Sequence, residues 1–236
     1  MKKIITIILA AAMLFALVAC GSTNGSETSG NTQNAPESTA ANVDTSNTDT
    51  TSETEQTTEP AAGKKILVVY FSRTGEQYSV GNIDKGNTAI VAEMIAEKTG
   101  ADLYEILPET DYYPYTYNAL TDVAKKEQNE KARPKIKGDL PDISKYDTVF
   151  VGAPVWWGDW PMICYTFFES ADLSGKKLVP FSTHEGSGLS GFDRKLASAV
   201  PGAEVLTGLA IRGADCQNNN TEVKTSVEKW IDGLDY

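Results

Sequence analysis

The sequence predicts a three-layer α/β domain over residues 63–236: a doubly wound sheet of five parallel strands with helices on both faces. Three observations carry this. Short apolar runs rich in β-branched residues recur along the segment. Stretches with apolar residues at helical spacing separate them. Strands that alternate with helices pair in parallel through right-handed crossovers, and ligands in such sheets bind beyond the carboxyl ends of the strands.

The elements follow in order. Lys65-Ile66-Leu67-Val68-Val69-Tyr70-Phe71 is continuous, β-branched and too short for a buried helix, so it reads as a strand covered on both faces. Over 87–99, Ile90, Val91, Met94 and Ile95 recur at helical spacing and Gly100 supplies the stop. A second strand follows over 101–107, a Pro- and Tyr-rich loop over 112–117, and a polar helix from about 121 to 131. Asp147-Thr148-Val149-Phe150-Val151-Gly152 is the third strand. Pro161 opens a helix that runs to Ser170. The fourth strand is read over 177–181, with Pro180 interrupting it, and a helix over 192–200. The fifth strand spans 204–211 and the last helix 222–231, with Val223, Val227, Trp230 and Ile231 on one side.

Composition excludes several functions. The net charge of −11 disfavours a nucleic-acid binder, because an acidic chain repels phosphates. Three Cys exclude a disulfide scaffold, and a single His excludes a His-rich metal centre. The one long apolar run, over 4–19, excludes a polytopic membrane protein. That run follows Lys2 and Lys3 and ends in Leu17-Val18-Ala19-Cys20-Gly21, a secretory signal pattern. Leu17-Val18-Ala19-Cys20 resembles the bacterial lipobox, which implies a lipidated Cys20 and a lipid anchor on the outer face of the cytoplasmic membrane. Residues 21–62 hold 17 Ser/Thr, seven acids and no Lys or Arg. Such a segment reads as a disordered tether with a span of roughly 35 Å.

The loops after the first, third and fourth strands carry the chemistry. Ser72-Arg73-Thr74-Gly75 ends the first strand, and Gly86-Asn87-Thr88 opens the first helix. Hydroxyls, inward N–H groups and a helix N-terminus together suit a phosphate. Pro154-Val155-Trp156-Trp157-Gly158-Asp159-Trp160 follows the third strand and offers aromatic planes for a flat ring. At least one of the three Trp is expected to cap the core, with one or two near the ring. Thr183-His184-Glu185-Gly186-Ser187-Gly188 follows the fourth. Residues 186–191 also match Gly-x-Gly-x-x-Gly, but on the fourth strand rather than the first βα unit that a dinucleotide site needs.

Taken together, Ser72-x-Thr74-Gly75 with Asn87-Thr88, the Pro-x-Trp-Trp-Gly string and the Thr-His-x-Gly-Ser-Gly string resemble the flavodoxin-like family. The resemblance implies a 2-1-3-4-5 sheet and noncovalent FMN. It implies that Ser72, Thr74, Asn87 and Thr88 contact the phosphate, with Arg73 and Gly75 in the same loop. It implies that Pro154, Val155, Trp156, Trp157 and Gly158 border one side of the flavin, and Thr183, His184, Gly186, Ser187 and Gly188 the other. The chain departs from the family pattern in the stretch 76–86, which splits the phosphate loop. The expected function is an electron carrier whose partners are redox proteins or quinones. The alternative is an FMN-dependent NAD(P)H:quinone or small-acceptor reductase, and a third reading is a flavin-free interaction module. Cys164 reads as a buried small hydrophobe and Cys216 as part of a polar loop, with their pairing left open.

Overall fold

The computed structural model of the protein describes residues 65–236. The expected signal peptide, the lipidation at Cys20 and the Ser/Thr-rich tether lie outside the described residues. Among the described residues no helix is long and apolar enough to cross a membrane.

The first half of the domain contains β1 (Ile66–Tyr70), the hairpin strands β2 (Gly75–Gln77) and β3 (Gly81–Ile83), α1 (Asn87–Thr99), β4 (Asp102–Glu105) and α2 (Tyr117–Glu130). A short 3₁₀ turn at Ile143–Lys145 then leads into β5 (Thr148–Pro154), α3 (Met162–Ser170) and β6 (Lys177–His184). The chain ends with α4 (Phe192–Ala199), β7 (Glu204–Val205), β8 (Leu209–Arg212), α5 (Gly213–Asn218) and α6 (Asn220–Asp232).

The sheet order is β4-β1-β5-β6-β7, with β8 also pairing β6, and every pairing in it is parallel. This is the expected 2-1-3-4-5 order with the fifth strand in two pieces. Alternation along the strands supplies both cores. Leu67, Val69, Val149 and Val151 face one layer with Ile163, Phe167 and Leu196. Val68, Phe150, Val179 and Phe181 face the other with Val91, Ile95 and Val227. Each such side chain, fully buried, contributes about 1.5–3 kcal/mol. Gly100 ends α1 as expected, at φ 71°, with its N–H donating to Ala96 O.

One expectation about the strands needs correction. Pro180 does not interrupt the fourth strand, and the strand does not stop at Phe181: β6 runs through both to His184. Lys176 and Leu178 turn their carbonyls toward β7, where they accept from Glu204 and Leu206. By the two-residue alternation Pro180 turns its missing N–H the same way. The ladder on the β5 side is therefore intact, and the gap falls opposite, between β7 and β8. The stretch 76–86, read in the sequence as an insert that splits the phosphate loop, contributes most of the antiparallel β2–β3 hairpin. Two smaller differences concern helices: α2 begins at Tyr117, earlier than expected, and Cys216 lies buried in α5 rather than in a polar loop.

Candidate functional site

The carboxyl ends of β1, β5 and β6 and the start of α1 converge on one cavity of ≈ 340 Å³. One corner of it is built from the α1 terminus. The N-cap of α1 is Gly86, which has no capping side chain. Ser72, at the end of β1, supplies the cap instead: its Oγ accepts from Ala89 N–H at 3.1 Å. The first intrahelical bond is Ile90 N–H to Gly86 O, so the amides of Asn87 and Thr88 point out of the helix end. A Cβ on Gly86 would lie 2.1 Å from Ser72 Oγ and 2.7 Å from Arg73 O, so only glycine lets the two segments meet. Thr88 is buried and its hydroxyl lies 2.8 Å from that of Thr183 on β6. Asn87 Oδ1 accepts from Gln217 Nε2 at 2.7 Å, tying α1 to α5.

The loop after β5 is a tight turn. Trp156 and Asp159 exchange backbone hydrogen bonds of 2.9 and 3.0 Å. Trp157 and Gly158 between them both have positive φ, 51° and 71°, as a type I′ turn requires. A Trp held in the left-handed region is strained, and such strain gathers at functional positions. The three Trp divide as their neighbours dictate. Trp160 is fully buried and stacks on Phe192 at 3.6 Å. Trp156 meets Phe71 and Tyr113 edge-on, each at 5.3 Å, and lines the cavity. Trp157 stays 53% exposed at the rim, with Nε1–H donating to Thr121 O and Lys125 Nζ 4.9 Å above its ring.

The carboxyl end of β6 brings Thr183 and His184 to the cavity, and the loop after it brings Ser187. Gly186 N–H donates to His184 Nδ1 at 2.9 Å. A neutral imidazole so placed carries its proton on Nε2. Burial holds the His184 pKa below its ordinary value and Arg212 adds to this, while Glu185 and Asp215 pull the other way. His184 is therefore a neutral donor at pH 7.

Of the residues singled out in the sequence, Ser72, Asn87, Thr88, Pro154, Val155, Trp156, Trp157, Thr183, His184 and Ser187 all line the cavity. Arg73 borders it too, but its guanidinium is committed elsewhere, to Asp111 at 2.9 Å and to Tyr113 O at 2.7 Å. Thr74, Gly75, Gly158, Gly186 and Gly188 sit in the same loops without lining the cavity. The Tyr-rich loop is anchored: the hydroxyls of Tyr112 and Tyr113 both donate to Glu127 on α2. Burial raises the Tyr113 and Glu127 pKa values.

Two contributions escaped the sequence reading. Gln77, Tyr78 and Val80 come from the hairpin. Tyr117, Leu120, Thr121 and Ala124 come from α2, at the i, i+3, i+4, i+7 spacing that could have exposed them. Cys164 and Cys216 are both free and buried, in the two cores on opposite sides of the sheet.

A doubly wound parallel sheet with a helix-end anion corner and an indole wall at its carboxyl edge defines a mononucleotide-binding α/β domain. The flavodoxin family model matches residues 65–233, and the chain belongs to that family. It is similar to a proposed flavoprotein from Bacteroides uniformis, 31% identical over 72% of this chain and 99% of the other, TM-score 0.58. It is also similar to one from Bacteroides eggerthii, 33% identical over 71% and 96%, TM-score 0.55. A Lactobacillus acidophilus flavoprotein solved in complex with FMN shares the fold at 22% identity over 67% and 99%, TM-score 0.52. No curated protein matches the chain closely enough to count as a relative.

Proposed function

We propose that this chain is an FMN-binding electron-transfer protein. The observation that carries the reading is the corner where Ser72 Oγ, the free amides of α1 and the Thr88–Thr183 pair meet with no room for a Cβ at Gly86. Membership of the flavodoxin family supports it. FMN fits the residues present. Its phosphate would be held by Ser72, Thr88 and the amides of Asn87 and Thr88, without a free cation. Its ring would lie between Trp156 and Trp157 on one side and the Thr183–Ser187 segment on the other. Bound there, the flavin supplies the redox chemistry. The protein's own part is to hold the phosphate, wall the ring from water, and offer the Nε2–H of neutral His184 as a hydrogen-bond donor.

Titrating FMN into the purified protein tests this. The expected result is saturable binding with a perturbed flavin spectrum and quenched Trp fluorescence. A chain that changes neither signal would not be a flavoprotein.

In the full chain, the export and lipidation signals read in the sequence would anchor this carrier at the outer face of the cytoplasmic membrane through Cys20. The full chain is then expected to sediment with membranes and the Cys20→Ala chain to appear in the soluble fraction. Equal sedimentation of the two would end the lipid-anchored reading.

A further inference from the structure

The cavity has two chemically different halves. Hydroxyls, amides and His184 line the first, at the strand ends. The second is walled by the hairpin and the opening turns of α2, through Tyr78, Val80, Tyr117, Leu120 and Ala124. The hairpin lies outside the strand–helix frame, yet it is firmly attached. Glu76 N–H donates to Tyr115 O at 2.8 Å, and Glu76 Oε2 accepts from Tyr117 N–H at 2.8 Å, at the start of α2. This attachment holds Tyr78, itself 57% exposed, with its ring 5.5 Å from that of Tyr117.

Among the described residues, the lining of this second half carries no charged side chain. The one arginine bordering the cavity, Arg73, is engaged by Asp111 and Tyr113 O. A dinucleotide would therefore bring its pyrophosphate to a wall with no cation for it. A protein partner would reach the exposed edge of Tyr78, but Leu120 and Ala124 are each only 5% exposed, which leaves a docking protein surface little of them to touch. An apolar, aromatic, uncharged wall suits a flat neutral ring that gains by stacking and by leaving water.

We propose that the hairpin and α2 form a binding wall for a planar, uncharged electron acceptor of the quinone class, to which the protein delivers electrons directly. This rests on the FMN reading above. The balance closes without a further co-reactant: reduced flavin gives up two electrons and two protons, the quinone takes both, and oxidised flavin and a hydroquinone remain.

The test uses the oxidised FMN-loaded protein, which does not react with an oxidised quinone, so binding is read at equilibrium. Menadione titrated into it is expected to give saturable changes in Trp fluorescence and in the visible flavin spectrum. Tyr78→Ala, saturated with FMN before the titration, is expected to weaken this binding by roughly fivefold, the effect of one lost ring contact. NADPH titrated in the same way is expected to displace no menadione. Absence of menadione saturation, equal affinity in Tyr78→Ala, or displacement by NADPH would overturn the proposal. A protein that takes FMN but not menadione ends this inference alone, whereas one that takes no FMN ends both readings.

Discussion

Trp160→Ala is expected to cost about 3–5 kcal/mol of unfolding free energy, read by chemical denaturation. The indole is wholly buried and lies nearly parallel to Phe192, at an interplanar angle of 19°. It also meets Phe168 edge-on at 5.3 Å, so it joins the start of α4 to α3. Its Nε1–H donates to Phe192 O at 3.3 Å, and truncation leaves that carbonyl without this donor as well as opening a void. Neither loss is made good by relaxation, because both flanking rings belong to helices packed on the sheet. The same truncation at Trp157, three residues earlier, is expected to change stability by only about 1 kcal/mol, since that ring is half in solvent. Equal losses at the two positions would mean that burial does not divide the indoles as described.

Gly86→Ala is expected to weaken FMN binding by about tenfold to a hundredfold while costing about 1–3 kcal/mol of stability. The backbone itself poses no obstacle, because Gly86 has φ −65° and ψ 143°. The obstacle is space. The added methyl meets Ser72 Oγ, which can rotate, and Arg73 O and N, which cannot. Swinging Ser72 away uncaps α1 and removes a hydroxyl from the anion corner in one movement. Part of the stability cost is offset by the lower chain entropy of alanine in the unfolded state. Isothermal titration with FMN and a denaturation curve separate the two effects. A Gly86→Ala protein with undiminished affinity would place the phosphate elsewhere.

Much of this was legible in the chain itself. β1 and β5 could be read because continuous β-branched runs bury both faces, and α1 because its apolar spacing ends at a glycine that takes the left-handed conformation. The anion corner could be read because hydroxyls and glycine flank a strand end and a helix start. The hairpin could not. Its strands are three residues each, Gly75–Gln77 and Gly81–Ile83, too short for an alternating pattern to register. Pro180 misled because a proline's effect depends on which side its missing N–H faces, and only the register reveals that. The three indoles were indistinguishable by type and spacing. The turn that forces positive φ on Trp157 and Gly158 sends one ring outward while α3 draws Trp160 in.

The sealed thiols have a further implication. Cys164 and Cys216 sit in separate layers with the sheet between them, and burial raises both pKa values, that of Cys216 to about 12. Neither forms thiolate readily, and neither meets the other. Maturation of the folded domain therefore needs no oxidase or isomerase, and reductants added to it take away no covalent brace. Its melting temperature is therefore expected to be the same with and without added reductant.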